Sequence, residues 1–152
     1  MIFNWILINK FAIGTPILKK NEKKILESNG IKTILDLRNS SDFNKSCKEK
    51  YFNYLSDFKY INIPLPDHRN PRLASNSEIR KAVEELDISL SKGPVFMHCH
   101  AAMERSPLIS IAYLNIKSGL SLMNAIDYVK QQNKSTVVNL EQLKIYKFLD
   151  WD

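Results

Sequence analysis

The sequence predicts an α/β fold, a central and mostly parallel sheet of about four to five strands with helices on both faces. Two observations carry this. Short apolar runs of strand length alternate with longer segments whose apolar residues recur at helical spacing. One run, Val95-Phe-Met-His98, follows a helix and a Gly-Pro break and has the composition of a buried central strand.

The elements follow in order. Met1 to Asn9 reads as a strand, and Phe11-Ala-Ile-Gly14 as a turn. Thr15-Pro16 supplies a cap and a proline at the first helical position, so a helix is expected to about Ser28, stopped by Asn29-Gly30. Ile31 to Leu37 is a strand. Asn39 to Leu55 is polar and reads as loop plus a short helix, and Phe58 to Ile63 alternates as a strand does. Pro66 to Arg72 has breaker chemistry throughout and should be an exposed loop beyond a strand end, where functional residues concentrate. Ser75-Asn-Ser-Glu78 is a capping box opening a helix with Ile79, Val83, Leu86 and Leu90 inward. After Val95–His98, Pro107 begins another helix. Two more start at Ser121 and at Asn139, the last with Gln142 placed as capping-box partner.

Composition bounds the function. A chain of 152 residues with 44% hydrophobic and 25% charged content suits one domain spanning 1–152, and it excludes disorder and repeat arrays. The apolar start is too short to span a bilayer and lacks a small-residue cleavage site, so no membrane partner is expected. Only Cys47 and Cys99 occur, in unlike settings, which implies a reducing, cytoplasmic location. Cys47 reads as a bystander. The net charge of +6 suits an anionic partner. Much of it lies in Lys19, Lys20, Lys23, Lys24, Lys48 and Lys50, runs that read as solvated faces. Nucleic acid is disfavoured, because no zinc-ligand array, RNA-binding aromatic motif or DNA-reading helix is visible.

Chemistry concentrates in Val95-Phe-Met-His-Cys-His-Ala-Ala-Met-Glu-Arg-Ser-Pro-Leu108. A cysteine leaves a buried strand, a loop follows, and an arginine opens a helix. The loop formed by His100, Ala101, Ala102, Met103, Glu104 and Arg105 can turn its backbone N–H groups inward, reinforced by the positive end of the helix dipole. That is an anion cradle. Arg105 can add two parallel hydrogen bonds to an oxyanion, and the same environment favours a thiolate on Cys99. The expected reaction is attack by Cys99 on phosphorus, with Asp67 as general acid and then base, Ser106 hydrogen-bonding the sulfur, and His98 orienting the loop from beneath. No metal or cofactor is needed. His68, Arg69 and Arg72 are candidates for a substrate rim, while Asp36 and Asp42 compete less well for the acid, one inside a strand and one in a loop without proline framing.

On these residues the chain resembles the dual-specificity phosphatase family of the cysteine-dependent protein tyrosine phosphatase superfamily, whose signature is His-Cys, two residues, Gly, two residues, Arg-Ser. His98, Cys99, Arg105 and Ser106 match it, and Ile31–Arg38, Ile63–Asp67 and Ala112–Leu114 resemble that family's framework. Ala102 stands where the signature has glycine. The resemblance implies a phosphomonoester hydrolase acting on phosphotyrosine or phosphoserine/threonine in proteins, or on small phosphomonoesters, through a phosphocysteine. The loop has no lysine and one carboxylate, which disfavours highly charged inositol phosphates. Two alternatives stay open: a phosphoprotein-binding relative slowed by Ala102, and a rhodanese-like sulfurtransferase, which needs no acid at Asp67.

Overall fold

The computed structural model describes residues 1–43 and 54–147; Cys47, Lys48 and Lys50 lie outside them. Five strands form one sheet in the order β1-β2-β5-β3-β4: β1 (Phe3–Leu7), β2 (Phe11–Gly14), β3 (Thr33–Asp36), β4 (Lys59–Asn62) and β5 (Val95–His98). Only β1 runs antiparallel to its neighbour. The helices are α1 (Lys20–Ser28), α2 (Asn76–Leu90), α3 (Arg105–Ile116), α4 (Leu122–Gln132) and α5 (Leu140–Lys147), with a 3-10 turn at Ser40–Asp42.

The period-2 alternation of buried strands sorts the core into two layers. Phe11, Ile13, Leu35, Val95 and Met97 enter the larger cluster with Ile79, Val83 and Leu86 of α2, Ile109 and Ile111 of α3, and Val129 of α4. Ala12, Ile34 and Phe96, pointing the other way, pack with Leu26 of α1. Helices thus cover both faces, and β5, the central strand, is buried along its whole length. Its carboxyl end delivers Cys99 directly into the turn before α3.

Phe11–Gly14 is a strand and not a turn. The chain reverses at Ile8–Lys10 instead, where Ile8 is exposed and Asn9 has φ 61°. β2 is buried throughout and pairs with β5 from Phe11↔Val95 to Gly14↔His98. Gly14 serves close approach, since a Cβ there would sit 1.9 Å from the Ile2 carbonyl oxygen. Thr15 likewise is no helix cap: its Oγ1 accepts from the Ile2 N–H at 2.8 Å, and α1 begins later, after Lys19, which makes no side-chain cap. Asn139 does cap α5, accepting from the Glu141 and Gln142 N–H groups, but the Gln142 side chain does not reach back. It bridges both backbone groups of Ala74, 2.8 Å each, and so ties α5 to the segment before α2. The Ser75–Glu78 capping box and the Ser121 cap form as expected. Lys19, Lys20 and Lys24 are exposed, and Lys23 meets Asp57 at 2.6 Å.

Replacing Gly14 by alanine should therefore cost roughly 1–3 kcal/mol, the usual range for overpacking. Urea unfolding followed by circular dichroism measures it, and an unchanged midpoint would show that β1 yields without loss.

Candidate active site

Three segments converge beyond the carboxyl ends of β3, β4 and β5, where open α/β sheets place their sites. β5 and α3 contribute the loop from Cys99 to Arg105, the segment after β4 contributes Asp67 to Arg69, and the 3-10 turn after β3 contributes Asp42. Between the first two lies a cleft of about 560 Å³ whose walls include Asp67, Arg69, Cys99, Met103, Glu104 and Arg105. His68, His100 and Ala101 also face it. Cys99 is buried at its floor, and its Sγ lies 3.3 Å from the Ser106 hydroxyl. His98 is fully buried behind it, with Nδ1 3.1 Å from the Cys99 carbonyl oxygen. Burial first, and then the nearby arginines, push the His98 imidazole below its ordinary pKa against the pull of Asp36.

Arg105 is 4% exposed, and its charge is met by Asp42, which a reading of local motifs ranks below Asp67. Asp42 takes both terminal nitrogens, at 2.7 and 3.0 Å, and also accepts from Arg69 at 2.5 Å. Burial opposes its ionisation, but the Arg105 hydrogen bonds and charge, the Asn39 N–H and Arg69 win, holding its pKa at about 2. The turn itself aims it: Asn39 Oδ1 accepts from the Ser41 N–H, and the Asn39 N–H donates to Asp42 Oδ2 at 2.8 Å. An Asn-x-x-Asp capping pattern is the sequence signal that could have found it.

Asp67 also approaches this guanidinium, 3.7 Å from Arg105 Nη2. Its carboxylate accepts from the Arg69 backbone at 3.1 Å and side chain at 2.6 Å. Burial raises its pKa, yet the Arg69 hydrogen bonds and the Arg105 charge outweigh burial and hold it below the ordinary carboxylate value. Asp36, the other competing carboxylate, is a buried structural ion, bidentate with Arg38 and hydrogen-bonded by Tyr60 at 2.7 Å. Arg72 is not brought to the cleft. Its guanidinium is bidentate on Glu78 at the start of α2, at 2.6 and 3.0 Å. His68 does reach the rim, 3.2 Å from Glu104.

Ala102 adopts the left-handed backbone, φ 57°, while fully buried, a conformation that costs a residue with a Cβ on the order of 1–2 kcal/mol. Its carbonyl accepts from Asn133 Nδ2 at 2.7 Å and Ser135 Oγ at 3.2 Å. Sequence reasoning did not single out either residue. Among the described residues no group of three or more His, Cys, Asp or Glu side chains is placed to hold a metal, and no helix is long and apolar enough to cross a membrane.

Comparison with known proteins shows the family and the fold. The family model described as the catalytic domain of dual specificity phosphatases matches residues 17–148, and the chain belongs to that family. It is similar to human dual specificity protein phosphatase 6, 31% identical over 116 residues that make up 76% of this chain and 28% of the relative. To human dual specificity protein phosphatase 9 it is 36% identical over 90 residues, 59% of this chain and 23% of the relative. The chain thus spans about a quarter of the length of these curated relatives. Among solved structures, the human tyrosine phosphatase-like serine/threonine/tyrosine-interacting protein superposes with a TM-score of 0.76 at 23% identity, covering 95% of each chain. Tk-PTP in the active form gives 0.75 at 18% identity, over 95% of this chain and 93% of that one. At these identities both likenesses concern the fold.

The Asp42 pair gives a signed pH prediction. Its folded pKa lies below the unfolded value, so its contribution is full above about pH 4 and is lost as pH falls toward 2. Allowing for solvent screening, wild type should lose on the order of 1–2 kcal/mol across that window. Asp42→Asn should lack that component, which urea midpoints at a series of pH values would reveal.

Proposed function

We propose that the chain is a protein phosphatase that hydrolyses phosphomonoesters of tyrosine, serine or threonine through a phosphocysteine. The observation that carries this is one cleft holding the Cys99 sulfur, the Arg105 guanidinium and the Asp67 carboxyl together, with Ser106 3.3 Å from the sulfur.

The Cys99 thiolate attacks phosphorus, forming the S–P bond as the bond to the leaving oxygen breaks, and Asp67 gives that oxygen its proton. Water then attacks the phosphocysteine, Asp67 takes a proton from it, and the S–P bond breaks as Ser106 donates to the departing sulfur. The charge that builds on the equatorial oxygens meets the amides of His100–Arg105 and the guanidinium. Because Asp42 occupies the Nη1–Nη2 edge of Arg105, an oxyanion meets the guanidinium from its Nε side. His98 supports the cysteine backbone, and His68 and Arg69 form the rim against the substrate.

Two features favour protein substrates. The loop carries Glu104 and no lysine, which disfavours densely charged phosphates, and the sequence relatives are named as protein phosphatases. A carboxyl poised beside Arg105 supports hydrolysis over sulfur transfer. A cysteine that must stay reduced suits a cytoplasmic setting.

The test is turnover of para-nitrophenyl phosphate without metal under reducing conditions. Cys99→Ser should abolish it and Asp67→Asn should lower it on the order of 10²-fold. Phosphate binding without wild-type turnover would favour the binding-module reading instead, and unchanged activity in Asp67→Asn would favour the sulfurtransferase.

The pH profile is a separate test. Asp67 must be protonated to act as acid, and Arg69 holds its pKa down. Activity should fall with rising pH, and Arg69→Gln should move the descending limb to higher pH. A limb that stays in place would show that Arg69 leaves Asp67 once substrate binds.

A further inference from the structure

The amides that would grip an oxyanion have to be aimed, and the segment following α4 is placed to aim them. Every peptide described is trans, so in each peptide plane the carbonyl and the next N–H point in opposite directions. Fixing one fixes the other. The carbonyl of Ala102 is held by Asn133 Nδ2 and Ser135 Oγ, which fixes the Met103 N–H in the opposite sense. One peptide further, the carbonyl of Met103 accepts from the Val137 N–H at 2.7 Å, which does the same for the Glu104 N–H.

Asn133 is itself locked. It is fully buried, its Oδ1 accepts from Asn4 Nδ2 at 2.8 Å, and its Nδ2 also donates to Thr136 Oγ1 at 2.9 Å. Thr136 Oγ1 in turn donates to the Asn133 carbonyl. Because the Ala102 carbonyl can only accept, the amide has one possible orientation. A side chain whose oxygen and both N–H donors are engaged, one donor ending on the carbonyl of the left-handed Ala102, is a brace on that conformation.

We propose that Asn133, assisted by Ser135, is a positioning residue of the anion cradle, holding Ala102 in the left-handed conformation that a glycine would adopt unaided. The proposal rests on reading residues 100–105 as an oxyanion cradle. It assigns Asn133 no contact with substrate. It acts through the aim of the Met103 amide.

The test is a double-mutant cycle on the full chain, crossing Asn133→Ala with Ala102→Gly and reading the dissociation constant of inorganic phosphate beside para-nitrophenyl phosphate turnover. Asn133→Ala should weaken phosphate about 10-fold, the worth of one or two buried hydrogen bonds. In the Ala102→Gly background the same change should cost less than about 3-fold, because glycine needs no brace. Equal losses in both backgrounds, or unchanged phosphate affinity in Asn133→Ala, would overturn the proposal. Should Asn133→Ala fail to fold, Ser135→Ala, an exposed site, should weaken phosphate about 2- to 3-fold and lose that effect in the glycine background; no effect in either background would count against the brace. Wild-type protein that binds phosphate without turnover defeats the hydrolase reading and leaves the cycle decisive, whereas wild type that binds no phosphate removes the cradle and the brace together.

Discussion

Burying the guanidinium of Arg105 is the constraint on which the rest of the site depends. A cation taken out of water is costly unless it is paired and hydrogen-bonded. Asp42 answers that need with a carboxylate whose own side chain is fully buried, fixed in turn by the N–H of Asn39. Arg69 then shares Asp42 and Asp67, so that two acids and two arginines form one cluster linking the turn after β3 to the segment after β4. The cluster fixes the distance between the acid loop and α3, and that distance defines the cleft.

The same economy runs through the backbone. β5 lies between β2 and β3, and its end therefore cannot move without disturbing both neighbours. Cys99 leaves this rigid strand, His98 packs behind it against Phe96, and α3 begins within a single loop. The loop between departs from regular geometry at Ala102. The strain is local, and the hydrogen bonds that meet it come from residues 133–137, remote in sequence.

What was legible in the sequence follows from what is local. Cys99, Arg105, Ser106 and Asp67 announce themselves because each sits beside a strand end, a helix start or a proline frame, and the structure gathers Cys99, Arg105 and Asp67 in one cleft with Ser106 buried beside the sulfur. Phe11–Gly14 misled because four residues ending in glycine before Thr-Pro look like a turn, whereas their strand identity comes from pairing with β5, far along the chain. The pairing of Asp42 with Arg105 and the role of Asn133 are not legible for the same reason: each depends on a partner tens of residues away, although the capping turn that holds Asp42 is local. Arg72 looked like a rim residue by its place in the loop, but Glu78 is nearer and holds it.

The central claim, that the Cys99 sulfur carries the phosphoryl group during turnover, is tested most directly by acid-quenching the protein during hydrolysis of a phosphotyrosyl peptide and weighing the Cys99 peptide by mass spectrometry. Using Ser106→Ala, in which breakdown should be slowed, the account predicts one phosphoryl group on Cys99. Hydrolysis that proceeds with Cys99 unmodified at every quench time would contradict it.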